Sequence, residues 1–237
     1  MIDTDFHRRE FADGEQLARG LADWTAERLS AAIAARGVAL LIVSGGKSPA
    51  RFFDLLSNMD LDWTRVAITL ADERRVADDS PRSNARLVRE RLLQNRAEAA
   101  SFTPLADVRL PEDQELAAAS ARIANLPSPA DVVILGMGDD GHTASWFPGA
   151  DGLAEAMDPA ARQLVAPIRA ANAGEPRLTL TGRVILRAHA IALEIEGEAK
   201  LATFAAALEP GTEEAMPIRA VLRRAADRLT VFSAQRA

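Results

Sequence analysis

His142 stands in a fourteen-residue run, Gly136-Met137-Gly138-Asp139-Asp140-Gly141-His142-Thr143-Ala144-Ser145-Trp146-Phe147-Pro148-Gly149, that also carries two carboxylates and four glycines. An imidazole has the ordinary pKa best suited to proton transfer near neutrality, and glycines let backbone pass close to a ligand. The run has the composition of an active-site loop, with His142 as its base. The other histidines, His7 and His189, have no ligand-like neighbours and are read as structural or solvated.

Two further segments could do chemistry. Ser44-Gly45-Gly46-Lys47-Ser48-Pro49 leaves an apolar run and enters a helical pattern, with Pro49 placed for its first turn. Such a turn directs free backbone N–H groups at an anion, at the positive end of a helix dipole. Lys47 and the Ser48 hydroxyl would add charge and hydrogen bonds, so a phosphate site is predicted. A nucleotide P-loop needs a glycine five residues before Gly46, where Leu41 stands. Leu70-Ala71-Asp72-Glu73-Arg74-Arg75-Val76 closes a second apolar run with consecutive charges. Asp72 and Arg74 are candidate site residues there, whereas Glu73 and Arg75 read at least as well as a surface salt bridge.

Other chemistries are screened out. Gly136-x-Gly138-x-x-Gly141 fits the dinucleotide fingerprint literally, but Asp139 and Asp140 would face the pyrophosphate and Pro148 cuts short the helix that should hold it. Ser44 lacks a Gly-x-Ser-x-Gly elbow, and no His-Glu-x-x-His or histidine cluster offers metal ligands. A mechanism must rest on one imidazole, a few carboxylates and several cations. Arg177, behind Pro176, and Lys200, after Glu196-Gly197-Glu198-Ala199, read in isolation as surface charges.

The elements that position these residues alternate. Strand-like runs occur at Val38 to Ser44, Arg65 to Ala71, Asp131 to Leu135, Leu164 to Ile168, Leu178 to Thr181, Ala190 to Ile195 and Leu229 to Phe232. Helical patterns lie at Glu15 to Arg36, Pro49 to Ser57, Ser83 to Gln94, Glu112 to Asn125, Gly197 to Leu208 and Pro217 to Ala226. Alternation of this kind predicts an α/β sheet with helices on both faces, its continuous apolar strands buried on both sides. Ligands of such sheets bind at the carboxyl ends of the strands, where Gly45 to Ser48, Asp72 to Arg74 and Asp140 with His142 would all arrive. There is no internal repeat or convincing linker, so residues 1–237 are read as one domain.

The remaining composition narrows the partners. At 48% hydrophobic the chain can bury a sizeable core. Its longest apolar stretch, Val38 to Val43, is too short for a membrane helix, and Met1 to Glu10 lacks an apolar signal core. The absence of cysteine fits a reducing cytoplasm. A net charge of −6 argues against nucleic acid as partner. Arg86-Arg89-Arg91 and Arg219-Arg223-Arg224 sit at helical spacing and read as solvated helix faces with i,i+4 pairs.

Taken together, Val43 to Pro49, Ala71 to Arg74, Ser83-Asn84, Leu135 to Gly149, Pro176-Arg177-Leu178-Thr179-Leu180-Thr181 and Gly197-Glu198-Ala199-Lys200 resemble the signatures of the 6-phosphogluconolactonase family, across nearly the whole chain and in order. That family shares a superfamily with the glucosamine-6-phosphate isomerases. The resemblance implies a Rossmann-like three-layer α/β/α sandwich with a mostly parallel sheet. It implies hydrolysis of 6-phospho-D-glucono-1,5-lactone to 6-phospho-D-gluconate in the oxidative pentose phosphate pathway, with neither metal nor organic cofactor. The substrate would be a small sugar-phosphate lactone and the protein a monomer or small homo-oligomer. The alternatives are an amino-sugar-6-phosphate isomerase or deaminase and a non-catalytic sugar-phosphate-binding module. The isomerases carry a ring-opening glutamate five residues after the loop histidine, where this chain has Phe147, and usually an aromatic residue where it has Arg74. Lys47 departs from many relatives, which have a small or polar residue there.

On this resemblance His142 takes a proton from the attacking water and returns it to the ring oxygen, with Asp140 orienting the imidazole or bracing the loop. Backbone from Gly45, Gly46, Lys47 and Ser48, with Arg177 and Lys200, would hold the phosphate. Arg74 is the candidate for oxyanion or sugar contact and Asp72 for a hydroxyl, and Asn84 belongs to the same substrate-binding set.

Overall fold

Three apolar pentapeptides, Ala-Leu-Leu-Ile-Val, Val-Ala-Ile-Thr-Leu and Val-Val-Ile-Leu-Gly, form neighbouring central strands of a parallel sheet, buried on both faces as continuous apolar runs require. The computed structural model describes residues 5–46, 49–171 and 173–235. Among these the order is β1 (His7–Phe11), α1 (Gly14–Arg36), β2 (Ala39–Val43), α2 (Pro49–Leu56), β3 (Val66–Leu70), β4 (Asp72–Arg74), α3 (Asn84–Leu87), β5 (Ser101–Thr103), α4 (Glu112–Ala124), β6 (Val132–Gly136), α5 (Leu153–Met157), β7 (Val165–Ile168), β8 (Arg177–Leu180), α6 (Gly182–Ile185), β9 (Ala190–Glu196), α7 (Glu198–Leu208), α8 (Ile218–Arg224) and β10 (Leu229–Ala234).

The seven-stranded sheet runs β1-β10-β9-β6-β2-β3-β5, with every pair parallel. From β2 the chain moves outward to β3 and β5, then returns to place β6 on the other side of β2. That reversal makes the carboxyl ends of β2 and β6 the switch point, where neighbouring connections diverge and open a crevice. Helix α1 packs across β1, β2, β6 and β10. Its Asp13 side chain caps the start by accepting from the Gln16 N–H at 2.9 Å, and Gly37 ends it in the left-handed region at φ 80°. One cluster of buried apolar residues runs from Phe6 to Ala234. Among the described residues no helix is long and apolar enough to cross a membrane.

The sequence places all its strands in one alternation, and here the structure differs. Leu164 to Ile168 and Leu178 to Thr181 contribute β7 and β8 to a separate antiparallel sheet of order β4-β8-β7. Its third strand is the charged Asp72-Glu73-Arg74 itself. The Leu180 N–H donates to the Ala71 carbonyl at 2.8 Å, tying this small sheet to the end of β3. Strands β1, β4 and β5 have no strand-like run in the sequence pattern. The helix expected over Ser83 to Gln94 is α3 continued by a wider π-type turn, Val88–Leu92.

The arginine clusters also divide. Arg86 pairs with Glu90 one turn on, as expected. Arg219, expected on a solvated face, is instead buried and donates to the carbonyls of Ala206, Ala207, Glu209 and Thr212. Two carbonyls of the last turn of α7 and two of the segment after it satisfy a planar group with five N–H donors, which makes burial of that charge tolerable.

Candidate active site

At the switch point lies a cleft of about 340 Å³ lined by Ser44, Gly45 and Gly46 after β2, by Asp72 and Arg74 of β4, by Asn84, by Gly136 to Asp139 with His142 and Ala144, and by Arg177 and Lys200. Every candidate site residue read from sequence lines it except three. Asp140 stands behind His142, and Lys47 and Ser48 lie outside the described residues. A larger cavity of about 530 Å³, reaching from Leu40 and Ile42 to Arg183, Arg187 and Arg228, has no carboxylate or imidazole in its lining and offers no acid or base.

The loop after β6 fixes the imidazole. Asp140 Oδ1 accepts from the His142 backbone N–H at 3.0 Å and contacts Nδ1 of the ring at 2.5 Å. A carboxylate there selects the tautomer with hydrogen on Nδ1, so neutral His142 carries its lone pair on Nε2. The ring lies against Phe147, with centroids 4.2 Å apart. Trp146, fully buried, donates Nε1–H to the Leu180 carbonyl at 3.1 Å and pins the Trp-Phe-Pro-Gly segment to β8. Ala144 holds φ at 48°, an uncommon conformation for a residue with a Cβ, at the cleft wall.

The small sheet brings the cations together. In the β4–β8 register Arg74 stands opposite Arg177, so residues far apart in sequence become neighbours on the cleft. Asp72 Oδ2 accepts from the Ser145 hydroxyl at 2.5 Å and lies 3.7 Å from Arg177 Nη1. The Arg177 guanidinium also sits over the Phe147 ring, 5.0 Å from its centroid. Burial pulls the Arg177 pKa below the usual guanidinium range against the opposing effect of Asp72. Arg74 Nε, Arg177 Nε and Ser44 Oγ are buried with no hydrogen-bond partner among the described residues. Two guanidinium groups and Lys200 in one cleft lining give it the positive charge that an anionic ligand needs.

Glu73 is not a surface charge. It is buried, accepting from the backbone N–H groups of Arg74, Asn84 and Ala85 at 2.7 to 2.8 Å and from the Ser83 hydroxyl at 3.1 Å. Its pKa is raised by burial in spite of these donors. Glu73 thereby anchors the start of α3 and places Asn84, whose Nδ2 donates to the Asp72 carbonyl at 2.9 Å. The close approach of Asn84 explains Gly45, where a Cβ would come within 1.9 Å of Asn84 Oδ1. Arg75 does form a salt bridge, with the buried Glu115 at 2.7 Å.

Lys200 comes from the first turn of α7, which follows β9 at the same end of the sheet. Arg177 and Lys200, surface charges in isolation, therefore share the cleft with the glycine turn. Sequence reasoning missed Ser44 and Ala144 as lining residues and Ser145 as the partner of Asp72. His7 and His189 are exposed and stand outside the cleft. Among the described residues no three His, Cys, Asp or Glu side chains are grouped to hold a metal ion.

A parallel sheet with its cleft at the switch point places the chain among the doubly wound α/β proteins. Within that class it belongs to the family described as glucosamine-6-phosphate isomerases/6-phosphogluconolactonase, whose model matches residues 12–231. It is 52% identical over 229 residues to the 6-phosphogluconolactonase of Mesorhizobium japonicum, covering 97% of this chain and 95% of that protein. The Rhizobium meliloti 6-phosphogluconolactonase is 49% identical, with 94% and 96% covered. A crystal structure of a 6-phosphogluconolactonase from Shewanella baltica superposes with a TM-score of 0.93 at 42% identity, with both chains covered completely.

Proposed function

We propose that this chain, acting as one domain over residues 1–237, is a 6-phosphogluconolactonase that hydrolyses 6-phospho-D-glucono-1,5-lactone to 6-phospho-D-gluconate. The observation that carries the reading is the Asp140-oriented His142 ring packed against Phe147. It offers a base for water, and an apolar ring stands where the isomerase branch needs a carboxylate for ring opening.

A lactone carbonyl is already electrophilic, so hydrolysis needs a positioned base and charge stabilisation rather than a covalent nucleophile. His142 Nε2 takes a proton from the attacking water, and Asp140 supports the imidazolium that forms. The same proton then goes to the ring oxygen as the C–O bond breaks. Arg74, in the cleft lining, contacts the developing oxyanion or a sugar hydroxyl. Asp72 is held by Ser145 and Arg177, which favours a role in fixing Arg177 alongside contact with a hydroxyl. The glycine turn, Arg177 and Lys200 hold the phosphate, and this remote binding aligns the carbonyl.

The test follows loss of freshly generated 6-phosphogluconolactone against its spontaneous hydrolysis, with glucosamine 6-phosphate in parallel. Accelerated lactone loss without ammonia release is expected. Ammonia release would assign the chain to the isomerase branch, and inactivity on both substrates would favour a binding module. Lys200→Ala is expected to raise KM by roughly 10- to 100-fold with a smaller change in kcat, the cost of one charge-assisted hydrogen bond. An unchanged KM removes Lys200 from the phosphate site.

A further inference from the structure

Glu194 is a carboxylate that lactone hydrolysis does not use, and it is only 4% exposed. In β9 it lies in register between Gly136 of β6 and Phe232 of β10. Aligned residues on neighbouring parallel strands share a face. Its side chain therefore stands beside the place of the missing Gly136 side chain, where a Cβ would meet nothing within 4 Å, and Gly136 lines the cleft.

The surroundings are charged. Glu196, two residues on and on the same face, bonds Arg51 of α2 at 3.1 Å, and Arg51 lies 3.8 Å from Glu15 of α1. From β1, Arg9 reaches over the Phe232 ring. Lys200, in the first turn of the helix that β9 leads into, follows Glu194 by six residues and lines the cleft. The turn entering α2 carries Lys47, outside the described residues. Burial, reinforced by Glu196, pushes the Glu194 pKa up to about 7 against the pull of Lys200 and Arg51.

We propose that Glu194 is a positioning residue for the phosphate end of the substrate, acting through Lys200 and taking up a proton when that phosphate binds. The proposal rests on the lactonase reading of the same cleft. An ionised Glu194 competes for Lys200 and repels the incoming phosphate, whereas a neutral Glu194 leaves Lys200 to the ligand. The coupling is reciprocal, so a group whose ionisation weakens phosphate binding must gain proton affinity when phosphate arrives. The second ionisation of a phosphate monoester, near pH ~6, acts in the opposite sense by strengthening binding as pH rises.

Glu194→Gln copies the protonated form in shape. The experiment compares KM for the lactone in wild type and Glu194→Gln from pH 6 to pH 8, correcting for spontaneous hydrolysis. The wild-type to variant KM ratio is expected near one at pH 6 and at least about fivefold at pH 8, a typical coupling between two sites, with a kcat ratio that does not follow pH. A ratio constant with pH overturns the proposal, whether the variant is unchanged or uniformly worse. Wild type alone supplies a second check: its KM must rise from pH 7 to pH 8, where the phosphate ester is already a dianion, and a flat KM there also overturns the proposal. Inorganic phosphate is the activity-independent probe. The concentration giving half the maximal Tm rise, taken as a ratio of wild type to variant, should diverge with pH in the same way. Divergence with phosphate but no lactone hydrolysis would remove the lactonase reading and keep Glu194; hydrolysis with flat ratios would remove Glu194 alone.

Discussion

Replacing His142 with alanine is expected to lower kcat by roughly 10²- to 10⁴-fold, the usual contribution of a general base, while KM stays near its wild-type value. The phosphate and sugar contacts assigned to the glycine turn, Arg74, Arg177 and Lys200 do not pass through the imidazole, so binding of the intact lactone survives. Stability should also survive, because the His142 side chain is about 29% exposed and its removal opens no sealed cavity. Asp140→Asn is expected to fall between wild type and His142→Ala in kcat. An amide can still accept from the His142 backbone N–H, but it cannot stabilise the imidazolium, and its NH₂ group can force the wrong tautomer. Steady-state lactone disappearance with Tm measured alongside checks both variants. Turnover of His142→Ala within a few-fold of wild type would remove His142 from the mechanism and leave Asp72 and Asp139 as the carboxylates in the cleft lining able to act on water.

The parts of this site that were legible in the sequence are those where chemistry and backbone requirement coincide within a few residues. The apolar runs of β2, β3 and β6 cannot sit anywhere but inside a covered sheet, and each run ends in glycines or charges that cannot continue it. That pattern alone places Gly45, Asp72 and His142 at one end of the fold. What stayed hidden depends on pairing across the chain. Strand β4 is three charged residues with no strand signature, and it exists because Leu178 and Thr179 of β8 supply its ladder partners. Strand β1, His-Arg-Arg-Glu-Phe, is mostly exposed at the sheet edge and so lacks an apolar pattern to read. Glu73 and Arg219 illustrate the same limit for burial. A charged side chain reads as surface until three or four donors or acceptors from other segments converge on it, and none of those partners is marked in the local sequence.

Gly138→Ala is expected to lower kcat by at least about 10²-fold, the cost of displacing a catalytic group by about 1 Å, with Tm much less affected. The backbone at Gly138 is not in the left-handed region, so alanine meets no conformational penalty of the kind that Gly141, at φ 78°, would impose. The obstacle is the imidazole itself. A Cβ at position 138 would lie 2.1 Å from Cε1 and 2.2 Å from Nδ1 of His142, and 3.0 Å from Asp140 Oδ1. The ring cannot yield in place, because Asp140 holds its Nδ1 on one side and Phe147 supports its face. Movement must therefore break the hydrogen bond that sets the tautomer or swing Nε2 away from the carbonyl carbon's approach. Either outcome removes the base while leaving the cations at the phosphate end untouched, so KM should change less than kcat. Kinetics of Gly138→Ala beside His142→Ala provide the measurement, and the double variant sharpens it. If the glycine serves only to make room for the imidazole, Gly138→Ala adds little once His142 is already alanine, a non-additivity expected of groups that act as a unit. Full additivity of the two losses would mean that Gly138 contributes separately, for instance by presenting backbone directly to the substrate.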